Sequence, residues 1–107
     1  MRLANDGICW LEGLFDKPIK QLIDRVVSTD PDRFHMGTAR EFFRAMHGHI
    51  DDSDEFVTIS RAEATRQIDG IIAAEGFDGF VRQMAEAIMS AFPTAKVKKS
   101  PEESQKK

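Results

Sequence analysis

The chain has 107 residues, of which 41% are hydrophobic and 31% charged, with 4 Pro and 7 Gly. That length and balance suit one small globular domain and exclude a wholly disordered or collagen-like chain. The net charge of −3 divides unevenly: residues 94–107 hold five Lys against two Glu, a balance of +3, which leaves residues 1–93 at −6. An acidic body repels phosphate backbones, so nucleic-acid binding by the body is not expected. No apolar run reaches the roughly 18–20 residues of a membrane span, and Met1-Arg2-Leu3-Ala4-Asn5-Asp6 lacks the apolar stretch of a secretion signal. Cys9 is a lone cysteine without an internal disulfide partner, and a reducing, cytoplasmic location is the expectation.

In chain order the pattern is helical almost throughout. Ile8, Leu11 and Phe15 share one face of a first helix, with Trp10 and Leu14 beside them and Asn5 or Asp6 placed to cap it. Cys9, on the same helix, reads as a small core residue. Asp16-Lys17-Pro18 breaks and restarts the chain, Pro being tolerated in a first helical turn. Ile19, Leu22, Ile23, Val26 and Val27 then recur at i, i+3, i+4, i+7 and i+8, the signature of a second amphipathic helix. Asp30 and Pro31 read as cap and first residue of a short turn that carries Phe34.

Thr38 and Glu41 have capping-box spacing ahead of an apolar face of Ala39, Phe42, Phe43 and Met46, which ends near His47-Gly48-His49. Residues 51–55 form an acidic loop. Phe56-Val57-Thr58-Ile59 alternates like a strand but is so short, and so alone, that it reads as an extended connector. Ser60 and Glu63 repeat the capping-box spacing and open a helix with Ile68, Ile71 and Ile72 on one side, which Gly76 ends as a left-handed residue. Asp78 is placed to cap a final helix bearing Phe77, Phe80, Val81, Met84, Ala85, Ile88, Met89 and Phe92, stopped by Pro93. The expected class is all-α: a compact bundle of about five short amphipathic helices over residues 1–93, followed by a disordered Lys-rich tail over 94–107.

One constellation carries chemistry. Residues 52–63 read D-S-D-E-F-V-T-I-S-R-A-E, which resembles the calcium-binding loop of the EF-hand family. The resemblance implies Asp52 and Asp54 as the first ligands, the Thr58 carbonyl at the seventh position, Ser60 at the ninth and Glu63 as the bidentate twelfth. Phe56 and Val57 stand where the family has an oxygen ligand and a turn-permitting Gly. Counting from Asp51 instead offers Asp51, Ser53 and Glu55 as ligands with one residue inserted. The same residues also read as a solvated acidic loop followed by a capped helix start. His47 and His49, with His35 upstream, invite a transition-metal reading, but His-Gly-His after a helix is also what a cationic helix end looks like, and no zinc spacing is present.

Catalysis has no recognisable machinery here: no nucleophile turn, no phosphate-cradling Gly loop and no selected carboxylate pair. The reading is therefore a small non-catalytic protein-interaction module without a cofactor: an adaptor, inhibitor or regulatory subunit, a homodimer being compatible. Its partner would dock on an amphipathic helix face, with Phe77, Phe80, Met84 and Ile88 on the last helix and Trp10 as a second anchor. The acidic surface would favour a basic partner site. The rival is a divalent-cation, calcium-binding helix–loop–helix protein centred on Asp52, Asp54 and Glu63.

Overall fold

Helix α3 (Met36–Met46) is the element around which the others are laid. It packs against the long α4 (Arg61–Met89) on one side and α1 (Asn5–Phe15) on another, while the short α2 (Ile19–Ile23) joins α1. The computed structural model describes residues 2–28, 30 and 32–92. Among these, four helices are accompanied by a two-stranded antiparallel sheet of β1 (His49–Ile50) and β2 (Phe56–Val57). His49 pairs with Val57 and Ile50 with Phe56. The expected tail over 94–107, the stop at Pro93 and the role given to Pro31 lie outside the described residues.

The centrality of α3 follows from its sequence. Seven of its eleven residues are buried, among them Ala39, Phe42, Phe43, Ala45 and Met46. These meet Leu3 and Leu11 from the amino-terminal side, Leu22 and Val26 from the α2 region, and Ala64, Ile68, Phe80, Met84 and Ile88 from α4. Each fully buried large apolar side chain contributes about 1.5–3 kcal/mol relative to exposure, so this shared cluster is what holds four short or bent helices together.

Several local expectations are corrected. Thr38 does not cap α3: the helix starts two residues earlier, His35 is the cap position, and Thr38 lies buried inside. α1 likewise starts after Ala4 without a side-chain cap, with Asn5 and Asp6 already helical. Cys9 is exposed, because the buried stripe of α1 runs through Gly7 and Leu11. α2 stops at Ile23, where the chain tightens into bonds from the Arg25 amide to the Leu22 carbonyl and from the Val26 amide to the Ile23 carbonyl. Val26 still reaches the core through that turn.

Two helices were expected on either side of Gly76, and the structure runs them together as α4 with a break in the path. Gly76 takes φ 81° and ψ 168°, a region that only glycine occupies without strain, so the chain bends there without a left-handed cap. Asp78 accordingly falls within α4. The kink lets Ala64 and Ile68 before it, and Phe80, Met84 and Ile88 after it, serve one core. At the start of α4, Ser60 is the cap as expected, its hydroxyl accepting from the Glu63 amide at 3.1 Å.

Candidate functional site

The acidic segment folds as the turn of a β-hairpin. The Asp51 amide donates to the Glu55 carbonyl at 2.9 Å, and the Asp54 amide donates to the Asp51 carbonyl at 3.0 Å. Asp54 takes φ 66°, a left-handed conformation that Asp tolerates and that closes a three-residue hairpin loop. Asp51 Oδ1 organises the turn by accepting from the Ser53 amide at 2.9 Å, the Ser53 hydroxyl at 2.8 Å and the Glu55 amide at 3.0 Å. The Glu55 and Ser53 hydrogen bonds, helped by nearby His49, hold the Asp51 carboxyl below the usual carboxylate range.

The oxygens that the EF-hand resemblance assigns to one ion therefore point to separate tasks. Val57, at the loop's sixth position, lies in β2. The Ser60 hydroxyl, at the ninth position, caps α4, and the Thr58 hydroxyl, which is not the oxygen the resemblance names, donates to the Arg44 carbonyl. Glu63 is engaged by Arg66 and by Gln67 Nε2. Asp52 and Asp54 are exposed in the turn. Among the described residues no three His, Cys, Asp or Glu side chains are grouped as metal ligands would be. The histidines are likewise dispersed: His35 precedes α3, His47 ends it with Nδ1 2.8 Å from the Phe43 carbonyl, and His49 lies in β1.

The connector reading of residues 56–59 gives way to this hairpin, which is clamped onto the helices. Phe56 stacks on Trp10 with ring centroids 5.2 Å apart, and the Arg44 guanidinium lies 5.3 Å from the Trp10 ring centroid. Gly48 makes this approach possible: a Cβ there would sit 2.8 Å from the Val57 carbonyl oxygen and collide with the Phe56 ring. Trp10 is thus half-buried under the hairpin and is a structural contact for Phe56 and Arg44.

The last-helix candidates also move inward. Phe80 and Met84 are fully buried in the core, and Phe77 packs edge-on to Phe34 with centroids 4.9 Å apart. Ile88 is buried as well, but it forms the floor of an apolar groove of about 250 Å³ between α2 and the end of α4. Ile19, Ile23, Met89 and Phe92 complete its walls, Lys20 stands at the edge, and the exposed wall is wholly apolar. Met89 is 46% exposed, the highest value among the large hydrophobic side chains of the described residues. Ile19 and Ile23 lie on the amphipathic face of α2 and are partly buried against the core, and Met89 belongs to the apolar stripe of the last helix. The signal that marks them is that stripe's width, eight apolar residues between 77 and 92 where one core-facing side needs fewer.

Two outcomes follow from the hairpin geometry. Because the folded carboxyl of Asp51 titrates below its unfolded value, its support of the turn is complete above the ordinary Asp range. That support is lost as pH falls through the lowered value. Amide shifts of Ser53 and Glu55 followed against pH are expected to move together below the ordinary Asp range, and the transition should vanish in Asp51→Asn; titration at the ordinary value would contradict this. In a calcium titration read by amide NMR, only small, non-saturating shifts are expected at residues 52–63. Saturable shifts abolished by Glu63→Gln would instead support the ion-binding loop.

No protein family, curated protein or solved structure matches this chain, so its functional reading rests on the arrangement of its own residues.

Proposed function

We propose that this is a small non-catalytic protein-interaction module whose partner docks in the groove between α2 and the carboxyl-terminal end of α4. The observation that carries the reading is the groove itself, with Ile88 as its floor and Ile19, Ile23, Met89 and Phe92 as walls. Apolar side chains gathered in a concavity at the surface cost free energy that a partner's apolar side chain would recover. Met at the rim suits such a role, because its unbranched thioether adapts to differently shaped partners. A role as adaptor, inhibitor or regulatory subunit is in keeping with the small size of the domain.

Other exposed apolar side chains support the reading less. Val57 borders a shallow cavity with His47, His49, Thr58 and Ile59, but ring nitrogens and a hydroxyl interrupt that surface, and Ile50 is exposed nearby on the paired strand. Leu14 and Met36 are exposed on separate elements, as single surface hydrophobics commonly are. No helix of the described residues is long and apolar enough to cross a membrane.

The test is cross-linking of the full chain in its native cell, followed by mass spectrometry, for wild type, Met89→Glu and Leu14→Glu. Both substituted side chains are exposed, so both variants are expected to fold, with circular dichroism as the check. A partner cross-linked near residues 19–23 or 88–92 should be lost with Met89→Glu and kept with Leu14→Glu. A partner retained by Met89→Glu would place docking elsewhere.

A further inference from the structure

Three guanidinium groups surround the one buried carboxylate of Glu41, more positive charge than that carboxylate needs. Arg44 meets it inside the fold: its Nη1 lies 2.6 Å from Glu41 Oε1, and its Nε is spent on the Ile59 carbonyl. Arg40 and Arg61 share the other oxygen. Arg61 Nε donates to Glu41 Oε2 at 3.1 Å, while Arg40 Nε stops at 3.6 Å, too far for a hydrogen bond. Both Nε atoms face one oxygen, so they can be no farther apart than the sum of those two distances. Three arginines against one carboxylate leave a local balance of +2, on a body of residues 1–93 whose balance is −6.

We infer that Arg40 and Arg61, with Thr65 beside them, form a binding site for a phosphate dianion. The inference is independent of the groove between α2 and α4. Among the described residues the terminal nitrogens of these two guanidiniums donate to no protein acceptor, and Arg40 Nε is buried without a partner. The Arg40 side chain is nonetheless 35% exposed, so its exposure lies away from Nε. It lines a partly enclosed cavity of about 110 Å³ with Met36, Thr65, Ile68 and Asp69. Arg61 is largely exposed and stands one helical turn before Thr65, on the same side of α4.

The chemistry of these groups selects the ligand. A guanidinium presents its donors as a planar fork that fits the oxygens of a phosphate or a carboxylate, and a threonine hydroxyl is a further donor. In a positive field a dianion gains twice the attraction of a monoanion, which favours phosphate over carboxylate. Asp69 opposes the site: it lines the same cavity and makes no ion pair among the described residues. Counting it lowers the local balance to +1, still positive. Glu63, near the start of α4, is paired with Arg66. Asp69 is exposed, so its charge weakens the site through solvent and does not cancel it.

The experiment titrates the full chain with sodium phosphate, with N-acetyl-phosphoserine amide and with acetate, at fixed ionic strength slightly above neutral pH. The readout is the NMR signal of the Thr65 amide and of the Arg40 and Arg61 Nε–H groups. Saturable shifts with both phosphates are expected, at concentrations roughly tenfold below any effect of acetate. Arg61→Gln and Arg40→Gln should each weaken phosphate binding roughly tenfold, and Asp69→Asn should strengthen it about threefold. Arg61 and Asp69 are exposed, so those variants are expected to fold, with circular dichroism as the check. Tighter binding of the phosphoserine derivative would assign the site to a phosphorylated side chain, and tighter binding of inorganic phosphate to the free ion; either sustains it. Shifts that do not saturate, that acetate matches, or that survive both arginine substitutions would overturn it and leave Arg40 and Arg61 with the structural task of surrounding Glu41.

Discussion

Glu41 is 4% exposed, and an isolated buried carboxylate would be strongly unfavourable, so the structure is arranged around satisfying it. Arg44 Nη1 reaches Glu41 Oε1 at 2.6 Å, and Arg61 Nε reaches Oε2 at 3.1 Å. Arg40 adds a looser contact at 3.6 Å. Of the three, Arg44 is the most enclosed, and it does more than neutralise the carboxylate. Its Nε donates to the Ile59 carbonyl at 2.8 Å, its carbonyl accepts from Thr58, and its guanidinium faces Trp10. One residue of α3, through its side chain and its backbone carbonyl, therefore binds α1, the end of the hairpin and the entry to α4. Arg61 is 60% exposed and contributes a weaker, solvent-screened link from α4 itself.

That clasp divides the molecule into two sides with different physical characters. On one side the hairpin, Trp10 and the acidic turn are tied down by directional bonds, with Asp51 and Ser53 holding the turn while Asp52 and Asp54 stay exposed. On the other, α2 and the end of α4 meet chiefly through apolar side chains and leave a gap. Core packing explains the gap: α2 is only five residues long and turns away after Ile23, so it covers Ile88 but cannot also cover Met89 and Phe92. The docking surface proposed here is thus a by-product of a helix too short for the stripe it faces.

The helical class and the two strongest faces could be read from periodicity alone, because Ala39, Phe42, Phe43 and Met46, and likewise Phe80, Met84 and Ile88, repeat at helical spacing and are indeed buried. The Ser60 cap was legible for the same local reason. The hairpin was not. Its strands are two residues each, and its partner strand, His49–Ile50, directly follows a helix, too short for any alternation to show. An acidic turn built on Asp51 and an ion-binding loop also share their composition; only the backbone at Val57 and Asp54 separates them. Glu41 was read as a cap partner because its spacing from Thr38 is local, whereas its contact with Arg61 spans twenty residues. The groove eluded the sequence because which side of a wide stripe stays uncovered depends on where α2 ends.

The most direct test of the clasp is Arg44→Met, which keeps the apolar stem while removing the guanidinium, measured by urea unfolding with Trp10 emission as reporter. Trp10 is the protein's one tryptophan, so its emission reads its surroundings under Phe56 and Arg44. The account predicts a loss of about 3 kcal/mol, since Glu41 is left buried beside a missing partner, together with a red shift of Trp10 emission in the folded state. A loss under about 1 kcal/mol with unchanged emission is what a dispensable surface pair would give, and it would contradict the account.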